Sequence, residues 1–216
     1  MRFTRAFTLA EVLITLAVIG IVAALTIPNM IHNYKKRLLE IRIQRFSSIW
    51  QQADKLRNIE HDYGSLEKVE TIPARNPDAM LELFNKYWRP HIKINKVEKL
   101  TKGIIMAFPD GSGAYLAKNY SGLDIGNDVT NNMYLIFCVD YKSCKSINEN
   151  KGTEVSQFSD GRNTFEFWTD GRPPKDHSHT MTRDDFIEKC KTTQYWCSTL
   201  IEQDGWKIKD DYPIKF

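Results

Sequence analysis

The chain has 216 residues, with 30 Lys and Arg against 27 Asp and Glu, four Cys and a formal net charge of +3. So even a balance gives no bias toward nucleic acid or strongly acidic partners, and the chain beyond one long apolar segment suffices for a single modest core. No P-loop, dinucleotide fingerprint or Ser nucleophile elbow occurs, so the sequence offers no enzyme signature.

The first element is a short basic leader, Met1-Arg2-Phe3-Thr4-Arg5-Ala6, followed by an apolar run from Phe7 to Ile31 whose only charge is Glu11. About 25 residues at ~1.5 Å each span roughly 37 Å as a helix, enough to cross a bilayer. Arg2 and Arg5 precede the run, so the positive-inside rule keeps the leader cytoplasmic and places the C-terminal bulk outside. A carboxylate within hydrocarbon is costly unless paired, which makes Glu11 a functional candidate. The plain alternative is a generic single-pass anchor with Glu11 near the interface, where a hydroxyl or amide would serve at lower cost.

Ala6-Phe7-Thr8-Leu9-Ala10-Glu11-Val12-Leu13 resembles the cleavage and methylation site of type IV prepilins and type II secretion pseudopilins. Ala6 stands where the family usually has Gly, a variation it tolerates, and Ala10 stands in place of Ile. The resemblance covers the leader and the apolar run only. It implies cleavage between Ala6 and Phe7 by a prepilin peptidase and N-methylation of Phe7. It further implies that the freed Phe7 amine of one subunit pairs with Glu11 of a neighbour, where a low dielectric strengthens the attraction. Gly20 and Pro28 fall where the family places a helix-loosening Gly and Pro; ordinary helix packing and a kink at the membrane exit account for them equally simply.

Beyond the run, Lys35-Lys36-Arg37 reads as a solvated helix face. Leu39, Ile43, Phe46, Trp50 and Ala53 then recur at spacings of four and three, one apolar stripe with Arg42, Gln44, Arg45, Gln51 and Asp54 off it. The helix is predicted to continue to about His61, with a stop at Gly64 and Ser65; a coiled coil is the second reading of the stripe. Asn76-Pro77-Asp78 caps a short helix through Leu83, Phe84 and Tyr87, stopped by Pro90. A hairpin is predicted from Gly103–Phe108 and Ala114–Ala117 around Asp110-Gly111. Met133–Val139 and Asn163–Trp168 read as strands, Thr182 as the cap of a helix through Phe186 and Ile187, and Leu200-Ile201 as a last helical turn before Gly205. The order predicts an α+β fold, a long N-terminal helix against a small antiparallel sheet, which is also the architecture the resemblance implies. The expected organisation is a leader over 1–6, a transmembrane and assembly helix over 7–31, its amphipathic continuation over 32–63 and an external globular domain over 64–216.

All four cysteines lie outside the apolar run, on the side expected to meet an oxidising compartment, so two disulfides are expected. Three connectivities are open; the local one pairs Cys138 with Cys144 and Cys190 with Cys197 and is favoured. It carries a condition: a continuous helix from Asp184 to Gln203 would put Cys190 and Cys197 about 10 Å apart along its axis, beyond reach, unless Thr192-Thr193-Gln194 breaks it. A Cys₄ zinc site lacks the tight pair spacing. No cofactor is expected. The resemblance raises calcium as an alternative, since some major pseudopilins bind it in a loop between C-terminal strands. Asp124, Asp128, Asp140, Asp160 and Asp170 lack the carboxylate density and closing Glu of an EF-hand, however, and turn formation explains Asp-Gly pairs. His177 and His179, beside Asp176, read as a polar loop without a third ligand. Trp196, Trp206 and Tyr212 read as packing groups.

The resulting expectation is a structural subunit of a type IV pilus-like or type II secretion pseudopilus filament. It would be cut by prepilin peptidase, held in the bacterial inner membrane with its domain outside, and passed by an inner-membrane assembly platform into a polymer with other pilin or pseudopilin subunits. The competing readings are a non-polymerising membrane-tethered binding domain and a competence-type pilin that binds DNA, which the near-neutral charge disfavours.

Overall fold

Among the described residues, five antiparallel strands form one sheet and one long helix precedes them. The structure, a computed structural model, describes residues 8–60, 75–118, 133–147, 158–176 and 180–215. Ala6, Phe7, Gly64, Ser65, Asp124, Asp128, His177 and His179 lie outside the described residues. Helix α1 spans Leu9–Glu60. Within it the chain divides into two compact units, the second running Leu39–Lys215.

In that second unit the stripe of α1 is core: Leu39, Ile43, Phe46, Trp50 and Ala53 are each 5% exposed or less. Its partner is a meander in the order β1-β2-β3-β4-β5, made of β1 (Lys96–Lys99), β2 (Gly103–Ala107), β3 (Gly113–Lys118), β4 (Met133–Cys138) and β5 (Thr164–Phe167). The register lines up Met106, Ala114, Phe137 and Phe165 in one cross-strand row and Ile104, Leu116, Leu135 and Phe167 in the next. Alternate residues share a face, so both rows face α1, and Phe46 meets Phe137 and Phe167 at ring distances of 4.9 and 5.1 Å. The stripe therefore docks on a sheet and is not a coiled-coil seam. On the opposite face Ile105, Tyr115, Ile136 and Cys138 form a second cluster with Cys144, which comes from the short helix α3 (Tyr141–Lys145). Strands buried on both faces read as continuous apolar runs, as Met133–Cys138 does.

Strand β1 was not predicted. Three of its four residues are charged and it lies at the sheet edge, pairing only with β2; charge on an edge strand blocks further pairing and also erases the apolar alternation. Helix α2 (Pro77–Tyr87) starts as expected, the Asn76 side chain accepting from the N–H groups of Asp78 and Ala79 at 3.0 and 3.1 Å. It brings Phe84, and the following Trp88, to stack on Trp50 at 6.5 and 6.3 Å.

Asp54, off the apolar stripe, is nonetheless buried at 8% exposure. It pairs with Arg57 at 2.8 Å, whose guanidinium lies 4.7 Å over the Trp88 ring. Burial raises the Asp54 carboxyl above its usual range against the pull of Arg57. The turn after β5 closes the same end of the helix. Trp50 Nε1 donates to the Thr169 carbonyl (2.8 Å) and Ser47 Oγ to that of Gly171 (2.7 Å). Gly171 has φ +82°, and a Cβ there would sit 2.9 Å from the Gln51 nitrogen and the Trp50 Cβ.

Two outcomes follow from this packing. Gly171→Ala combines a left-handed backbone with a backbone clash and should destabilise the fold by about 2 kcal/mol or more, read as a lower denaturant midpoint of the full chain in detergent. Glu166 sits beside Ile136 in the far-face row, 2% exposed, with no hydrogen-bond partner for Oε2 among the described residues. Burial raises its carboxyl well above the ordinary value. The unfolded chain therefore releases this proton first, and stability falls as pH climbs from the ordinary carboxyl range toward the raised folded value. Glu166→Gln should remove that slope, so denaturant melts over this window should show the variant gaining on the wild type as pH rises.

Candidate assembly site at the N-terminal helix

Thr8 is the first described residue and stands just before α1. The Glu11 N–H donates to Thr8 Oγ1 at 3.3 Å, while Glu11 Oε2 accepts from the Thr8 N–H at 2.8 Å and from its hydroxyl at 2.9 Å. This reciprocal pair is a capping box, satisfying orphan donors of the first turn and placing a negative charge at the positive end of the helix. Sequence reasoning treated Glu11 only as a charge in need of an outside partner. The missed signal was the Thr-x-x-Glu spacing. Oε1 carries no hydrogen bond among the described residues and stays available.

Around this carboxylate the helix surface is apolar and uncovered. Large apolar side chains from Leu9 to Ile31 are open, from 43% exposed at Val12 to 79% at Leu9. Among the described residues α1 alone is long and apolar enough to cross a membrane. Uncovered apolar surface of this extent calls for lipid or protein around it. A Cβ added at Gly20 would meet nothing within 4 Å, so nothing among the described residues demands glycine there. Pro28 lies inside the helix, where it has no N–H to offer the preceding turn, while Thr26 Oγ1 donates to the Val22 carbonyl at 2.9 Å.

The cysteines form two local pairs, Cys138–Cys144 and Cys190–Cys197, with Cα separations of 5.5 and 4.8 Å. The second is reached because helix α4 (Arg183–Thr192) ends at an extended Thr193, and a 3₁₀ turn, Gln194–Trp196, leads into helix α5 (Cys197–Gln203). That break folds the two cysteines together. The described aspartates serve turns and caps. Asp140 caps α3 through the Ser143 N–H (2.9 Å), and Asp170 binds Arg172 through its backbone N–H (2.9 Å) and Nε (2.6 Å). Asp160 accepts from the N–H groups of Arg162, Asn163 and Thr164 at 2.9, 2.6 and 2.8 Å. Burial pushes the Asp160 carboxyl up, but these donors outweigh it and hold it below its usual range. Asp176 Oδ2 accepts from the N–H groups of Thr180 and Met181. Among the described residues no three metal-ligating side chains converge. Trp196 packs on Phe186 and Tyr195, and the Tyr212 hydroxyl donates to the Gly161 carbonyl at 2.7 Å.

The family model for a family of unknown function (DUF6613) matches residues 29–216. The chain belongs to that family. Residues 1–27 of this DUF6613 protein match the prokaryotic N-terminal methylation motif, the prepilin-type signature of type IV pilins and pseudopilins. The motif makes this DUF6613 protein a type IV pilin-like precursor for prepilin peptidase. No match was found among curated proteins or solved structures.

Two measurements check the local chemistry. Thr8→Ala removes the cap and should loosen the first turn by roughly 1 kcal/mol, seen as faster amide exchange at Glu11 and Val12 in detergent micelles. Replacing Cys190 and Cys197 by Ser opens a loop of sequence separation 7 and should cost about 2–3 kcal/mol in denaturant melts.

Proposed function

We infer that this chain is a structural subunit of a filament built on pilin chemistry, of the type IV pilus or type II secretion pseudopilus kind. The observation that carries the reading is the uncovered apolar helix behind a methylation motif, with a single carboxylate that is half engaged by its own cap. The cap orients Glu11 and leaves Oε1 for a cation. After cleavage between Ala6 and Phe7 the N-methylated amine of a neighbouring Phe7 supplies one. In a low-dielectric bundle that pair sets the axial register of subunits, since any other register leaves a carboxylate and an ammonium unpaired. Prepilin peptidase and an inner-membrane assembly platform act on the chain before it polymerises with other pilin or pseudopilin subunits. The bilayer holds it until then, leader inward and globular unit outward. Gly20 allows close helix approach, and Pro28 allows the helix to yield during packing.

The capping box provides a discriminating variant. Glu11→Gln preserves the box, because Gln serves at that position, and removes the charge. Expression with prepilin peptidase should yield chains beginning at N-methylated Phe7 for both wild type and Glu11→Gln, by mass spectrometry of the N-terminal peptide. Only the wild type should enter sheared filaments, with the variant reduced about tenfold or more, corresponding to a loss of at least ~1.4 kcal/mol per contact. Equal entry of both would overturn the role of Glu11. An intact leader in the presence of the peptidase would overturn the pilin pathway itself.

A further inference from the structure

A cleft of about 180 Å³ opens between α1 and the loops on either side of β1 and β2, lined by Arg42, Arg45 and Lys93 among apolar side chains. Arg42 is held in place. Its Nη1 donates to the Val139 carbonyl at 2.8 Å and its Nη2 to the Asp110 carbonyl at 2.6 Å. Both acceptors are neutral carbonyls, so no acid offsets the guanidinium through these bonds, and its buried Nε has no hydrogen-bond partner among the described residues. Arg45 and Lys93 are exposed, and neither makes an ion pair or hydrogen bond among the described residues. Asp110 is the one acid in the lining, and its Oδ1 is taken by the Ser112 N–H at 3.0 Å and the Ser112 hydroxyl. Three cations thus face one engaged carboxylate at the mouth of an apolar recess.

The apolar part sets what the charge acts on. Ile49 and Phe108 are half-buried and present open surface, whereas Phe46 and Trp50 form a closed floor at 5% and 1% exposure. That floor offers no free ring face for a stacked base, which single-stranded nucleic acid would require. The volume is small beside the roughly 300–1,000 Å³ of pockets that hold whole cofactors; it suits one large side chain. A carboxylate next to that side chain would meet Arg45 and Lys93, and arginine favours such planar acids through paired N–H donors.

We propose that this cleft is a docking site for an acidic peptide segment, one that places a large apolar side chain on Ile49 and Phe108 and a neighbouring carboxylate between Arg45 and Lys93. The proposal rests on the cleft alone and stands whether or not the chain polymerises. The probe is acetyl-Asp-Phe-Glu-Leu-amide carrying an uncharged fluorophore, titrated against the full chain in a maltoside detergent and read by anisotropy. Its twin is acetyl-Asn-Phe-Gln-Leu-amide. The acidic peptide should bind at least about tenfold more tightly than the twin, and its affinity should fall as salt screens the pairing. Arg45→Gln with Lys93→Gln changes two exposed side chains and should weaken the acidic peptide about tenfold while leaving the twin unchanged. Ile49→Ser should weaken both peptides. Equal binding of the two peptides, or no binding of the acidic one up to about 1 mM, overturns the proposal. So does displacement of the acidic peptide by a single-stranded oligodeoxynucleotide that binds more tightly and loses affinity in the Arg45/Lys93 double variant, which would assign the cleft to phosphates.

Discussion

The Phe46 ring lies within reach of three aromatic rings from separate parts of the chain: Phe108 just after β2, Phe137 in β4 and Phe167 in β5, at 5.8, 4.9 and 5.1 Å. One helical turn later Trp50 stacks on Phe84 and Trp88 and donates its indole N–H to the loop beyond β5. Aromatic contacts of this kind bury large areas and constrain orientation as well as distance. They fix which face of the sheet meets the helix. They also fix how closely the Gly171 turn approaches α1, and so the line of the cleft that Arg42 and Arg45 enter from the same helix.

Beyond β5, the segment from Arg183 onward has no strand among the described residues; polar and covalent links join it to the rest, alongside the burial of Phe186, Leu200 and Ile201. Glu40, on α1, accepts from the Ile208 N–H at 2.9 Å and from Lys207 at 3.0 Å, tying the last segment to the helix. Arg183 at the start of α4 spans Asp204 and Asp211 with paired N–H donors, and the Cys190–Cys197 disulfide closes the break between α4 and α5. Each link has at least one end in the segment of short elements after β5. Short helices are marginal by themselves, so cross-links of this kind are what give that region one conformation.

The two parts of α1 follow different physical rules although the helix is continuous. From Leu39 to Ala53 one stripe of apolar residues is buried by its own chain, while Ile41, Leu56 and Ile59 stay exposed. Before that, apolar residues surround the axis and the described chain covers little of them. A helix apolar all round must find its cover elsewhere, in lipid or in other subunits. The methylation motif, residues 1–27, lies in the part without a stripe, and the family model covers residues 29–216.

Local signals carried much of this structure. The methylation motif, the stripe from Leu39 to Ala53, the Asn76-Pro77 cap and the Thr182 cap could be read directly, because each depends on residues within a turn or two of one another. Strand β1 could not, since its burial and pairing come from β2 and its own residues are charged. The buried Asp54 could not, since Trp88 and Asp170, which act on its carboxyl, come from segments far along the chain. The capping box at Thr8 and Glu11 was readable and was passed over in favour of a longer-range role for the same carboxylate. The cleft belongs to the tertiary structure alone: Arg42, Arg45, Lys93 and Phe108 are scattered over 67 positions, and only the docking of the helix on the sheet brings them to one rim. Sequence alone determined the chemistry that depends on neighbours along the chain, namely the processing motif, the apolar anchor and the caps. The fold decided which charges are neutralised and which stay open, because that depends on what distant segments place beside them.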